Sequence, residues 1–143
     1  MPIWFKPVAL SDLRFRPALP SHIGIEFTEL GDDFIRARMP VDDRTRQAFG
    51  ILHGGASVVL AETLGSVGAS LIVDPARYQC VGQEINANHI RGVKDGFVIG
   101  TARPLHLGRR SQVWEIRIVD ERDRLVCISR LTIAVVDREP DAS

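Results

Sequence analysis

One ionisable side chain, Glu62, interrupts a long run of small and apolar residues. The run covers residues 54–73 and contains no other charged side chain. Because a carboxylate is costly to desolvate, an isolated one in an apolar segment predicts a functional role. His53 directly precedes two glycines, Gly54 and Gly55, at the start of the run. If the run is helical, its first N–H groups bind anions, and a carboxylate with such donors suits attack on an activated carbonyl.

The run itself predicts a helix. It is too long for a strand, and its alanines and leucines favour helix. Gly65 and Gly68 oppose a helix by about 1 kcal/mol each relative to alanine, but they are useful if a sheet packs directly on the backbone. The run is apolar nearly all round, so we predict one central helix that is buried on nearly every side.

Six strand-like segments flank this helix, two before it and four after it, separated by turn signals. In one of them Trp114, Ile116 and Ile118 alternate with charged residues, which is typical of a half-buried antiparallel strand. A short helix at about residues 10–14 precedes them, before two prolines interrupt the chain. The order favours an α+β fold in which an antiparallel sheet wraps around a long central helix. The predicted strands cover about residues 23–30, 34–39, 78–90, 97–107, 111–120 and 125–136.

Length and composition narrow the class of protein. The 143 residues suit one domain, and the net charge of +0 gives no general attraction to nucleic acid or membrane. The first residues lack the features of a signal peptide, so we expect a soluble cytoplasmic protein. Cys80 and Cys127 are isolated and are expected to be reduced core residues. A metal site built from Glu84, His89 and His106 would fit no recognised spacing.

At this point the chain resembles a known family. Residues 49–62, FGILHGGASVVLAE, are similar to the signature of hotdog-fold acyl-CoA thioesterases. The similarity is greatest to the bacterial subgroup that includes 1,4-dihydroxy-2-naphthoyl-CoA hydrolase and the enterobactin proofreading thioesterase. Further matches are MPVD at 39–42, GQEINANH at 82–89 and RPLHLG at 103–108. The resemblance covers residues 24–136, whereas the variable N-terminal segment 1–22 and residues 71–77 match poorly.

The resemblance implies a hotdog fold for the single domain 1–143 and hydrolysis of acyl-CoA to a free acid and CoA. It implies a homo-oligomer, either a dimer or a dimer of dimers, with no metal or redox cofactor, since coenzyme A belongs to the substrate. It assigns Glu62 as nucleophile or general base. The N–H groups of Gly54 or Gly55, with Gly54 favoured, would polarise the carbonyl. Gln47, His53 and Ser66 would assist.

Simpler explanations exist for several of these residues. The glycines also suit a plain helix-entry turn, and His53 also suits a helix cap. Ser66 lies one turn after Glu62, so its hydroxyl either binds the carboxylate or the attacking water, or bonds back to the preceding turn.

Two basic turns complete the predicted site. They could bind the phosphates of CoA, although charged turns are often merely solvated. The first turn follows His89 and also contains Lys94; the second contains His106 and Arg109. Glycines in both turns would allow the backbone to approach the phosphates closely. By resemblance, the substrate-binding residues are Gly82, His89, Ile90, Arg91, Gly92, His106, Leu107, Gly108, Arg109, Arg110 and Ser111.

Helix geometry adds a prediction that does not depend on the family. At about 1.5 Å per residue, Glu62 lies roughly 10–12 Å along the axis from the helix start. One thioester carbonyl therefore cannot contact both Glu62 and the first N–H groups of the same helix. Two antiparallel helices at a two-fold interface would bring Glu62 of one subunit to the helix start of the other.

Several alternatives stay open at this level. A hotdog protein that binds acyl-CoA without catalysis would not need the carboxylate. A hotdog hydratase or dehydratase generally uses a His/Asp pair, and none stands out near the helix. An aromatic acyl group is favoured by the subgroup, but alkyl groups remain open, as does the choice between an acyl-enzyme anhydride and direct attack by water.

Overall fold

Six antiparallel strands form one sheet, with a long helix packed on one face, in a computed structural model that describes residues 1–14 and 16–139. The order of strands in the sheet is β1-β2-β4-β5-β6-β3. This architecture confirms the predicted α+β fold. The strands are β1 (Glu26–Leu30), β2 (Ile35–Pro40), β3 (Tyr78–His89), β4 (Phe97–Leu107), β5 (Ser111–Val119) and β6 (Leu125–Asp137); the helices are α1 (Leu19–His22) and α2 (Gly54–Ile72), with a 3-10 helix at Leu10–Asp12.

Two glycines let α2 approach the sheet closely, as the sequence predicts. A Cβ on Gly65 would lie 2.6 Å from Cδ2 of Leu131, and one on Gly68 would lie 2.8 Å from the ring of Trp114. Both distances are too short for a real side chain. The glycines therefore trade helix propensity for direct contact between the helix backbone and core residues of β5 and β6.

The burial of α2 is one-sided, so the prediction of burial on nearly every side is wrong for a single chain. Glu62 and Ser66 are half-buried and Ser70 is exposed, because the sheet covers only one face of the helix. By length and composition α2 could cross a membrane, but it is the core helix of this fold. Its buried residues are Ser57, Leu60, Ala61, Leu64, Gly65, Gly68 and Ala69.

The region before the sheet differs from prediction in detail. The helix expected at residues 10–14 is a three-residue 3-10 helix. Helix α1 is not predicted by the sequence, in which two prolines interrupt this part of the chain. Pro20 lies in the first turn of the helix, where an N–H has no helical partner, so its missing N–H costs no hydrogen bond. Strand β1 begins at Glu26 rather than at residue 23, since Gly24 follows α1 in a turn with φ +82°.

The two edges of the sheet differ. Residues 1–13, here named the N-terminal strap, hydrogen-bond to the β1–β2 turn: the N–H of Ile3 donates to the carbonyl of Asp32 at 2.9 Å. Strand β3, twelve residues long, forms the opposite edge, and no other described segment pairs with its outer side. Its pairing with β6 skips Gln83, a β-bulge between Gly82 and Glu84.

Candidate active site

The start of α2 carries one occupied and one free N–H donor. His53 is the N-cap residue, and its Nδ1 accepts the N–H of Gly55 at 2.7 Å. The helix-cap interpretation of His53 is therefore confirmed, and the N–H of Gly55 is already bound. The N–H of Gly54 donates no hydrogen bond to any described residue. Of the two glycines, Gly54 is the one with a donor free for a ligand.

The loop before α2 orients Gln47 beside that donor. A tight turn follows Gln47: its N–H donates to the carbonyl of Ile51 at 2.8 Å, and its carbonyl accepts the N–H of Gly50 at 3.0 Å. Gly50 has φ +85°, a conformation that favours glycine. The side-chain oxygen of Gln47 accepts the N–H of Phe49. The amide NH2 group is left to donate elsewhere.

A cavity of about 340 Å³ opens at the start of α2. It brings Gln47 and Gly54 together with the turn after β3. The ring of His89 covers Gly54, so that a Cβ on Gly54 would lie 2.8 Å from Nε2 of His89. Four lining residues were not predicted as part of the site: three are apolar, Ile51, Leu52 and Val126, and the fourth, Ser57, has only small and apolar residues beside it in the sequence. The lining residues are Gln47, Ile51, Leu52, Gly54, Ser57, His89, Ile90, Arg91, Gly92 and Val126.

Glu62 lies away from this cavity, against the middle of β3. A Cβ on Gly82 would lie 2.8 Å from Oε1 of Glu62, so the glycine provides the space that the carboxylate occupies. The carboxylate makes no hydrogen bond or ion pair with the described part of the chain. Glu62 is thus half-buried and unpartnered, which is unusual for a structural carboxylate.

Ser66 lies one turn after Glu62 and lines a second, larger cavity of about 710 Å³. Among the described residues its hydroxyl makes no bond to Glu62, so the expected support of the carboxylate is not formed within one chain. It is Ser70 that bonds back to the preceding turn, donating to the carbonyl of Ser66 at 2.9 Å.

The two basic turns lie at opposite ends of the sheet. Ser111 pairs with Ala134, which pairs with Val81 near the start of β3, whereas His89 ends that strand. Eight residues of strand separate Val81 from His89, roughly 25 Å. One CoA therefore cannot contact both turns through a single chain. The second turn comprises His106, Leu107, Gly108, Arg109, Arg110 and Ser111, with Arg110 ion-paired to Asp137 at 3.2 Å.

The cysteines and histidines have structural surroundings. Cys127 is buried and Cys80 is half-buried, as predicted, and burial raises the pKa of both thiols. Within residues 1–14 and 16–139, no group of three or more His, Cys, Asp or Glu side chains is arranged to bind a metal ion. His89 and His106 lie on the separated turns.

One chain thus carries, at two separate places, groups that carbonyl chemistry uses: an unpartnered carboxylate at Glu62, and a free helix-start N–H beside an amide donor. Comparison with known proteins gives the family. A model of the Thioesterase superfamily matches residues 49–127. The chain is 53% identical over 137 residues to the proofreading thioesterase EntH of Cronobacter turicensis, covering 94% of this chain and 98% of that protein.

Two further matches agree. The chain is 49% identical over 136 residues to the 1,4-dihydroxy-2-naphthoyl-CoA hydrolase of Escherichia coli strain K12, covering 94% of this chain and 99% of that protein. A solved structure of a mutant thioesterase from Pseudomonas aeruginosa matches with a TM-score of 0.93 and 46% identity, covering 95% and 99% of the two chains. This chain therefore belongs to the thioesterase superfamily, has the hotdog fold and is a thioester hydrolase.

Proposed function

We propose that this thioesterase hydrolyses aromatic acyl-CoA to a free acid and CoA, with Glu62 as nucleophile or general base. The observation that carries the proposal is the unpartnered carboxylate of Glu62, which lies beside Gly82 on an otherwise uncharged helix. A carboxylate that binds no protein group is free to attack a carbonyl carbon or to deprotonate water. No metal or redox cofactor is needed for either step.

The free N–H of Gly54 binds the thioester oxygen in this mechanism. Charge develops on that oxygen as the carbonyl is attacked, and a fixed N–H at a helix start stabilises it. The amide of Gln47 donates a second hydrogen bond, since its oxygen already accepts from Phe49. With Nδ1 of His53 bound to Gly55, the opposite ring nitrogen is available to donate to the substrate. The role of Gly55 is to donate its N–H to His53 and so to hold the imidazole ring in place.

Each complete site is shared by two copies of the chain. Glu62 lies against Gly82 in the first half of β3, whereas Gly54 lies against His89 at its end. A two-fold axis between these positions would bring Glu62 of one copy to Gly54 of the other. The unpaired edge of β3 and the half-exposed face of α2 are the surfaces that such an axis would cover. A long bare edge strand is ordinarily protected in a soluble protein.

The same symmetry reunites the two basic turns. One copy contributes the turn with Arg91 and Gly92, and the other contributes residues 106–111, so that the phosphates of CoA lie between them. Glycines at both turns let the backbone approach the phosphates closely. Within one chain the turns are too far apart for this role, so shared phosphate binding depends on the same dimer.

An aromatic acyl group suits the larger cavity. That cavity begins at Ser66, one turn beyond the attacking carboxylate, and its walls are mostly apolar. Of the relatives, the E. coli hydrolase is named for an aromatic acyl-CoA. We expect the enzyme to act in the cytoplasm, where acyl-CoA is used and where its two free thiols stay reduced.

Thiol release from a panel of aryl- and alkyl-CoA substrates tests the reaction and its acyl preference. Glu62→Gln should abolish release, whereas Glu115→Gln should retain it. Glu115 is a matched control because it is also half-buried, but it alternates with the core residues Trp114 and Ile116 and so faces away from α2. Wild-type release that is independent of Glu62 would refute the assigned role.

Subunit complementation tests the shared site. Glu62→Gln and a Gln47→Ala/Gly54→Ala double variant should each be inactive alone. Random mixing of the two should restore about a quarter of wild-type activity, because each mixed dimer regains one of its two sites. No recovery after verified subunit exchange would show that each site lies within one chain.

A further inference from the structure

A cavity of about 710 Å³ lies between the N-terminal strap and the second half of α2. This volume is in the range of small-molecule sites. Its apolar walls come from both elements. The strap contributes Phe5, Val8 and Leu13, and α2 contributes Val67 and Leu71 beside Ser66.

The strap is a fixed wall of this cavity. The N–H of Phe5 donates to the carbonyl of Leu71, near the end of α2, at 2.8 Å. The indole N–H of Trp4 donates to the carbonyl of Gly31 at 2.9 Å. Two consecutive residues are thus bonded to different elements on either side, which fixes the path of the strap across α2.

The cavity begins one helical turn from the proposed reaction centre. Ser66 lines it and lies four residues after Glu62, roughly 6 Å along the helix axis. An acyl group whose carbonyl carbon is at the Glu62 carboxylate can therefore extend along α2 into the cavity. The end of the acyl group remote from the thioester then lies against the strap.

Two charged residues line the cavity, and only one of them has a partner. Asp12 caps the 3-10 helix, where its carboxylate accepts the N–H of Ala9 at 2.9 Å. Lys6 makes no ion pair or side-chain hydrogen bond in residues 1–14 and 16–139. The cavity thus combines apolar walls with a carboxylate that is held by the backbone and an ammonium group that binds no described residue.

Resting on the thioesterase function proposed above, we propose that Lys6 determines specificity for the acyl group. It favours aromatic acyl groups that carry an anionic substituent, a carboxylate or an ionised hydroxyl, at the end remote from the thioester. Apolar walls bind the ring, and the ammonium group pairs with the substituent. Lys6 is exposed, so water screens the pair and the preference amounts to several-fold rather than orders of magnitude.

The test compares kcat/KM for benzoyl-CoA with the values for 3- and 4-carboxybenzoyl-CoA. In Lys6→Gln, kcat/KM for the better carboxylated substrate should fall about fivefold more than kcat/KM for benzoyl-CoA, through KM. Lys6→Arg should retain the preference, and Lys6→Glu should reverse it. Arg122→Gln is the matched control: it removes a positive charge from the β5–β6 turn, outside this cavity. High salt should reduce the preference of the wild type.

Each result decides between the assignments. A preference that is the same in wild type, Lys6→Gln and Lys6→Glu would overturn the role of Lys6, while thiol release that still depends on Glu62 would leave the thioesterase intact. Equal loss of preference in Arg122→Gln would also overturn it, because the effect would then be one of net charge. Wild-type enzyme that releases no thiol from any substrate would refute the proposed function and this inference together.

Discussion

The two faces of α2 use the same few residue types for opposite purposes. On the sheet side, Gly65 and Gly68 remove side chains so that Leu131 and Trp114 can touch the helix backbone. On the neighbouring face of the helix, which lies against the edge of the sheet, Gly82 of β3 makes room for a carboxylate. The first contact is between apolar atoms and stabilises the fold. The second contact places no hydrogen-bonding group against the carboxylate and leaves it free to react. Glycine in this protein thus serves packing on one face and chemistry on the other.

The largest expected effect is on the reactive face. Glu62→Gln removes the nucleophile or base while keeping the shape, so kcat should fall on the order of 10³-fold. The free energy of unfolding should barely change, because the carboxylate has no partner in the described chain. Steady-state thiol release and urea denaturation measure the two quantities. Matching losses of activity and stability would show that Glu62 is structural.

The packed face should respond in the opposite way. Gly68→Ala inserts a methyl group 2.8 Å from a buried Trp114 ring that cannot move aside. We expect destabilisation of about 1–3 kcal/mol, even though alanine favours helix by about 1 kcal/mol. Urea denaturation measures this loss. Ser70→Ala, at an exposed position of the same helix, serves as control and should change stability by less than about 0.5 kcal/mol.

Gly82→Ala separates the two uses of glycine most directly. The added methyl group would lie too close only to Oε1 of Glu62, the far end of a flexible side chain, at 2.8 Å; its distance of 3.8 Å from Cδ1 of Leu131 is an ordinary contact. The side chain can rotate away, so stability should change little while kcat falls about tenfold, or about 1.4 kcal/mol in the barrier. Activity equal to wild type would show that the carboxylate does not need its position beside β3.

The smallest effect concerns acid stability, far from either face. The N–H of Arg124 first, then its guanidinium and the N–H of Arg122, lower the pKa of Asp120. Its stabilising effect is therefore present above the unfolded pKa of about 3.9 and is lost as pH falls through the lower folded pKa. Stability should fall more steeply below about pH 4 in wild type than in Asp120→Asn. Parallel curves from urea denaturation at several pH values would contradict this.

Periodicity and residue type predicted the fold well. The limits of α2, the strands after it and the close approach at Gly65 and Gly68 all follow from local pattern, because apolar alternation and small residues report directly on packing. The segment before β1 was predicted less well. There a proline permits a short helix or prevents one according to its position in the first turn.

The sequence named the candidate site residues and predicted that Glu62 lies far from the helix start of its own chain, but it predicted little else of their arrangement. Sequence reasoning identified the groups at the helix start and the isolated Glu62. It did not show that Gly82 makes room for that carboxylate, or that residues 106–111 and the turn after His89 lie at opposite ends of the sheet. Both facts depend on strand register across β3, β6 and β5, and register is set by long-range pairing that no local pattern contains.

The skipped residue in β3 has a consequence for how the molecule behaves in a crowded cell. Gln83 breaks the even spacing of the exposed amide row halfway along the strand. A strand from another protein that pairs with this edge would lose the regular hydrogen-bond spacing at Gln83, and this loss disfavours growth into fibrils. Only a strand with a compensating irregularity can follow the whole row. The bulge therefore disfavours pairing of β3 with regular strands of other proteins.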